Sequence, residues 1–446
     1  MEYPAYDSYK PSSIDWIDKV PSHWVTWKVT HGFNLVGSGT TPKSDNQSYY
    51  EGGETPWITT SELREKEILD TKFKITKTAL ADYSTLKVYK PGSLAFAMYG
   101  ATIGRLGILG IDATVNQACC VFDEPEQFDT KFFFYWLWMR RDVLISLSVG
   151  GGQPNLSQDD LKQIRAPIPP VTEQQKISAF LDYKTQQIDH LIEKKKALIE
   201  KLEEKRIAVI TQTVTKGINN NIKLKPSGKH WLGDIPKNWV CSYLKHFSLI
   251  YDCKHLTAQF VDDGYPLASI SEVKGWYVDL ATSKKTTYEY YHDLIAGERK
   301  PKAGDIIYSR NATVGEAAIV SKNTPDFAMG QDVCLIRSSD LLLPDFLMYF
   351  LNSKLILQQL DLLMVGSTFK RINVNDIKNF TLLIPPIEEQ KQIIDYLIEV
   401  ENKSQSMVLK VSEALERLEE YKAALVTSAV TGKIDVREIE LPKEFQ

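Results

Sequence analysis

Long stretches of this 446-residue chain occur twice and in the same order, a duplication that restricts its fold more than any other feature. IPPVTEQQKI begins at Ile168 and IPPIEEQKQI at Ile384, 216 residues later. VITQTVTKGI from Val209 and LVTSAVTGKI from Leu425 keep the same separation, so the register is unbroken over the 41 positions from one phrase start to the next, with no insertion. Upstream, the likeness is looser but keeps its order. KPSSIDWIDKVPSHW (10–24) answers KPSGKHWLGDIPKNW (225–239), and TPWITTSEL (55–63) answers YPLASISEV (265–273). KPGSLAFAMYGATIG (90–104) answers KAGDIIYSRNATVG (302–315) after one dropped residue, and VGGGQPNLSQDDLKQI (149–164) answers VGSTFKRINVNDIKNF (365–380). Each half is therefore a variable module followed by a long helix.

The helices are read from periodicity. Ile177, Leu181, Lys184, Ile188, Leu191, Lys195, Leu198, Leu202, Lys205 and Val209 follow alternating steps of four and three, the spacing of a coiled-coil seam. Shifted by 216, the same ten positions hold Ile393, Leu397, Val400, Ser404, Met407, Val411, Ala414, Leu418, Tyr421 and Leu425. Pro169-Pro170 and Pro385-Pro386 precede the helices, with Glu173 and Glu388-Glu389 in the first turns, where proline and acidic residues are favoured. Gly217 and Gly432 are placed to end them. A helix over 171–214 would be roughly 66 Å long at ~1.5 Å per residue. Antiparallel pairing is expected, because two equivalent halves then relate by an approximate twofold. Setting Ile177 against Leu425 and Val209 against Ile393 places Lys195 opposite Met407 and Ser404 opposite Leu198, and the lysines can extend past the seam.

Composition excludes several classes. Hydrophobic content is 43%, charged content is 25%, and no apolar run approaches the ~20 residues of a membrane span. The first residues lack the pattern of a secretory signal, so a soluble cytoplasmic protein is expected. Five cysteines form no C-x-x-C pair, and seven histidines are scattered without ligand spacing, so no metal site and no disulfide framework is expected. The net charge of −4 is not that of a typical free-standing nucleic-acid binder, although DNA contact needs only a local positive face. Neither an N/D-P-P-[YF] methyltransferase motif nor a G-x-x-x-x-G-K-[ST] phosphate loop occurs, and no acidic set resembles a nuclease metal site. The glycine-rich stretches VGSGT (36–40) and VGGGQ (149–153) read as structural loops.

The duplicated PP-x-x-E-Q helix openings, P-x-x-W starts, A-T-x-G signatures and VTxG-like helix ends resemble the specificity subunits of type I restriction-modification systems. The resemblance spans nearly the whole chain. It implies an α+β architecture: two mixed α/β target-recognition domains joined by two long antiparallel coiled-coil helices with a pseudo-twofold internal repeat. The expected divisions are 1–170 and 218–386 for the recognition domains, 171–217 and 387–432 for the spacer helices, and 433–446 for a tail. It further implies a non-catalytic subunit that binds double-stranded DNA, each module taking one half of an asymmetric split site. Methyltransferase subunits, two in number, and restriction subunits would be its partners. S-adenosylmethionine, ATP and magnesium would belong to those partners, and this chain would need no cofactor. Two heads on a stiff spacer allow half-site centres about one to two DNA turns apart, a turn being ~34–36 Å.

Within the modules, GSLAFAMYG and GDIIYSR suggest strands, while KFFFYWLWM and DFLMYFLNS suggest short buried helices. Their aromatics Phe132, Phe133, Tyr135, Trp136, Phe346, Tyr349 and Phe350 are assigned to core rather than to base stacking. DNA contacts are sought in loops at matching positions. In the first module these are Lys43, Thr59, Thr60, Ser61, Tyr99, Arg105, Gln153 and Asn155. In the second they are Ser269, Ser271, Lys274, Arg310, Asn311, Lys370 and Arg371, with Arg310 and the Lys370-Arg371 pair foremost. Arginine can bond guanine bidentately, amides can read adenine, and lysines and hydroxyls grip phosphate. The seam residues expected between the helices are Ile177, Leu181, Ile188, Leu191, Leu198, Leu202 and Val209, with Ile393, Leu397, Val400, Met407, Val411, Leu418 and Leu425. The mixed run EKKKALIEKLEEKR (193–206) reads as a docking surface. Two alternatives stay open on residues alone: a non-catalytic scaffold presenting both modules to protein ligands, and a self-contained enzyme.

Overall fold

The computed structural model describes residues 3–146, 155–219, 221–311, 314–364 and 371–445. Contacts divide the chain into two compact units, Met1–Lys194 with Glu413–Gln446, and Lys195–Ser412. The two long helices, Val171–Lys216 and Ile387–Val430, each contribute to both units.

In the first unit, a five-stranded sheet runs in the order Phe33–Ser38, Cys119–Pro125, Leu94–Ala97, Leu106–Leu109 and Lys66–Ile68. The last pair is parallel and the others antiparallel. A smaller sheet places Thr114–Val115 parallel to Thr55–Ile58. The second unit repeats the plan with Ser248–Asp252, Val333–Ser338, Ile306–Ser309 and Ala317–Ile319, all antiparallel, and with Ala328–Met329 parallel to Tyr265–Ala268. The apolar runs GSLAFAMYG and GDIIYSR thus supply the fully buried strands Leu94–Ala97 and Ile306–Ser309. The aromatic runs lie in the helices Thr130–Ser146 and Pro344–Leu351, and all seven aromatics named above are buried in the core.

Each module closes by pairing its start with its end. Val25–Lys28 lies antiparallel to Arg165–Ile168, and Val240–Tyr243 to Thr381–Ile384. The chain then passes the two prolines and enters the long helix. Gln174 fixes that entry: its amide donates to the carbonyls of Gln127 and Pro169 at 2.9 Å and accepts from Asp129 N at 2.7 Å. Gln390 does the same with Leu341, Pro385 and Leu343. The glutamine of P-P-x-x-E-Q therefore satisfies loop backbone that burial would otherwise leave unpaired. At the far ends Gly217 (φ 79°) and Gly432 (φ 74°) take the left-handed conformation that stops a helix with little steric cost.

The helices are antiparallel within each unit: Lys422 Nζ meets Asp189 at 2.7 Å in the first, and Arg206 meets Glu401 at 2.7 Å in the second. This register differs from the expected one, which would have set Asp189 against Glu413 and Arg206 against Tyr396. The displacement replaces a carboxylate facing a carboxylate with an ion pair. Ile177, Leu181 and Ile188 are buried, as are Ile393, Leu397 and Leu425. Leu202, Val209, Val400, Val411 and Leu418 are partly buried. Leu191 (46% exposed), Leu198 (43%) and Met407 (39%) are not, while Ile192, next to Leu191, and Ile210, next to Val209, are. The buried stripe of the first helix runs Ile177, Leu181, Thr185, Ile188, Ile192, with steps of four, four, three and four. Such steps average above the 3.5 of a strict seam, so the stripe drifts onto adjacent residues.

No helix among the described residues is long and apolar enough to cross a membrane. All five cysteines are free, and burial pushes the Cys120 thiol up to about 12.

Candidate nucleic-acid interface

Four loops converge at one place in each module, and the same backbone bonds hold them there. In the first, Leu156 N donates to Met98 O (2.9 Å), Met98 N to Ala118 O (2.8 Å) and Asn116 N to Ile58 O (3.0 Å). In the second, Ile372 N donates to Arg310 O (2.9 Å), Arg310 N to Asp332 O (2.8 Å) and Gly330 N to Ala268 O (2.8 Å). These bonds set Tyr99 in a β-bridge opposite Asn155, and Asn311 in a β-bridge opposite Arg371. Asn155 and Arg371 are related by the 216-residue repeat and are both exposed, as are Ser61 and Ser271. Tyr99, Asn311, Thr59, Thr60 and Ser269 are half-buried beside them.

The short turns bearing the hydroxyls are held from beneath by a glutamate. Thr59 N and Ser269 N donate to Glu62 (3.0 Å) and Glu272 (2.7 Å), closing a capping box at each site. Glu62 also accepts from Thr71 Oγ1 (2.6 Å) and Glu272 from Ser271 Oγ (2.7 Å). The hydroxyls join the same networks, Thr59 Oγ1 lying 2.8 Å from Ser61 Oγ, while Ser61 and Ser271 remain exposed. The [ST]-x-x-E spacing was visible in both TTSE and SISE, but its support role was not read from it.

Two residues that sequence reasoning missed join the site. Gln117 and Gln331 are exposed at matching positions, Gln117 bonded to Thr41 and Gln331 Nε2 to Thr257 Oγ1 (3.0 Å). V-N-Q-A-C-C and M-G-Q-D-V-C share only a glutamine and a cysteine, which is why the match was not seen. Burial is the leading reason the Tyr99 phenol lies above its ordinary range, and a hydrogen bond with Gln117 works in the opposite direction.

The remaining candidates are placed differently. Arg310 is 3% exposed and turned inward, its guanidinium 2.7 Å from Asp252 and 3.5 Å from Cys253 Sγ. His255 joins this group, with Nδ1 3.6 Å from Cys253 and Nε2 3.4 Å from Asp252. Asp252, Cys253 and His255 are the residues close enough to share a cation among those described. Opposite ring nitrogens face the thiol and the carboxylate, however, and Asp252 is already paired with Arg310. The group braces Arg310. Lys43 is exposed on the loop before the turn Gln47–Tyr49, and Arg105 is half-buried at the start of the strand Leu106–Leu109. Lys274 lines a depression with Arg206, Tyr349 and Glu401. Gln153 and Lys370 lie outside the described residues, as does the stretch 149–153.

Residues 21–201 and 259–417 match the family described as the type I restriction modification DNA specificity domain. The chain belongs to this family. A specificity subunit of the MjaVIII enzyme of Methanocaldococcus jannaschii is 25% identical over 94% of this chain and 95% of its own length. The EcoKI specificity subunit of Escherichia coli is 22% identical over 93% of this chain and 90% of its own. Two solved structures share the fold. One comes from work on complex assembly and conformational transition of the type I R-M system (TM-score 0.71, 17% identity, 93% of this chain and 99% of that one). The other is an HsdS subunit from Thermoanaerobacter tengcongensis (TM-score 0.52, 18% identity, 93% and 98%). This specificity subunit is the DNA-recognition component of a type I restriction-modification complex, carries two recognition domains and is not itself the catalyst. It associates with methyltransferase and restriction subunits in that complex.

Proposed function

We propose that each module reads one half of a split, asymmetric double-stranded DNA target through its four-loop convergence, with 1–170 and 218–386 as the reading domains. Helices 171–217 and 387–432 serve as spacers and the segment 433–446 as a tail. The carrying observation is the repeated stitching with different side chains at each place: Tyr99 beside Asn155 in one module, Asn311 beside Arg371 in the other. An unlike pair of side chains on a common backbone frame suits two unlike half-sites. Asn155, Gln117 and Gln331 carry the amide geometry that matches adenine, and Arg371 the fork that matches guanine. Thr59, Thr60, Ser61, Ser269, Ser271, Lys43, Lys274, Arg105, Gln153 and Lys370 supply phosphate or groove contacts. Arg310 holds the loop from within.

The subunit acts in the cytoplasm with two methyltransferase subunits and with restriction subunits, which carry S-adenosylmethionine, ATP and magnesium. The test is a salt titration of the assembled complex on its target. Affinity is expected to fall steeply with rising salt, because phosphate contacts release counterions. Salt-insensitive binding, or none to any duplex, would instead support a scaffold that presents the two modules to proteins.

A further inference from the structure

The internal repeat breaks down at the start of the long helices. At the first, Glu173 is buried and accepts from Tyr6 OH (2.7 Å) and Trp24 Nε1 (2.9 Å), with His23 Nε2 2.7 Å away. Two separate segments cover it. The N-terminal segment brings Tyr6, and the C-terminal tail is tied to that segment by Asp435 N donating to Pro4 O (2.7 Å). The Arg437 guanidinium lies 5.0 Å over the Tyr6 ring.

At the second helix start, a single linker must both end one half and begin the next, so it cannot supply two covering segments. Aligning Lys10 with Lys225 puts Asn221 where Tyr6 stands, and Asn221 is exposed. Glu389, the counterpart of Glu173, is only partly buried and accepts from Asn238 Nδ2 (2.9 Å). Trp239, the counterpart of Trp24, is buried with its Nε1 unpartnered. Beside Glu389, a cavity of about 400 Å³ opens between Ile218, Asn219, Ile222, Asn238 and Gln392. A buried indole N–H without an acceptor is costly; at the first helix start the matching indole donates to Glu173, so a closed second site would turn Glu389 toward Trp239.

We propose that this cavity receives an extended, tyrosine-bearing peptide segment from another subunit of the complex, its phenol donating to Glu389 as Tyr6 donates to Glu173. The acidic rim of Glu388 and Glu389 favours a donor-rich segment. A second copy of this chain is disfavoured as the source, because its own Tyr6 is already buried against its own Glu173. The inference rests on membership of a multi-subunit complex and not on which loops read DNA.

The test uses the full-length chain assembled with its modification and restriction subunits, without DNA, and with a benzophenone amino acid in place of Asn219. Irradiation is expected to link that position to one segment of a partner subunit, and mass spectrometry to find a tyrosine in that segment. Glu389→Ala should weaken assembly about tenfold while leaving the thermal midpoint of the free chain unchanged. A cross-link to a second copy, to a segment without tyrosine, or to nothing would overturn the proposal, as would unchanged assembly in Glu389→Ala.

Discussion

Two arginines in the second module illustrate what a single residue can and cannot disclose. Arg310 adjoins Asn311, which is bridged to Arg371, yet Arg310 is buried against Asp252 while Arg371 is exposed. Arg310→Ala should therefore lower stability by about 2 kcal/mol in denaturant unfolding, the scale of a lost charge-assisted hydrogen bond. Arg371→Ala should stay within about 0.5 kcal/mol in the same assay, as exposed substitutions do. It should weaken binding of the complex to target DNA by about 1–3 kcal/mol if it reads a base. Sequence placed both arginines in a loop but not their directions, because Asp252 lies 58 positions from Arg310 and nothing in its spacing announces the pair. The supporting residues Gln174 and Gln390 were equally hidden, since their partners are backbone atoms that any residue could supply. A pH effect belongs at this scale too. Burial works to raise the Asp435 carboxyl, but hydrogen bonds from Arg437 outweigh it and hold the group below its ordinary range. Its folded pKa is thus depressed, so its stabilisation is complete above the ordinary carboxylate range and fades as pH falls through the folded value. Unfolding at pH 7 and pH 3 should show a smaller acid loss in Asp435→Asn than in the parent.

The long helices were legible as elements because prolines, acidic first turns and closing glycines mark both ends of each. Their contacting faces were legible only in part. A strict four-three reading selects Leu191 and Val209, whereas a helix nearer 3.6 residues per turn carries Ile192 and Ile210 into the core instead. Leu181→Ala should accordingly cost about 2–5 kcal/mol and Leu191→Ala no more than about 0.5 kcal/mol, by chemical denaturation. The register was missed because apolar matching alone ignores charge: Lys422 reaches Asp189 at a position where the expected pairing offered Glu413. This half-exposed ion pair should contribute only about 0.5 kcal/mol in a double-mutant cycle.

For the whole molecule, the duplication carried most of what could be read. Two modules, two helices and a shared family followed from repeated phrases, whereas the four-loop convergence depends on hydrogen bonds between segments 20 to 62 residues apart. Residues 1–218 keep one module and one helix, and 210–214 align with 426–430 at the repeat separation. That piece should self-associate by size-exclusion chromatography and, assembled with methyltransferase, direct methylation to a symmetric site. A monomeric folded half would contradict the helix pairing. The most direct measurement compares Asn155→Ala and Arg371→Ala complexes on target duplexes altered in one half at a time. Each variant should lose discrimination at one half-site, a different one for each, and keep it at the other. If either variant lost discrimination at both halves, or if both lost it at the same half, the assignment of one half-site to each module would be wrong.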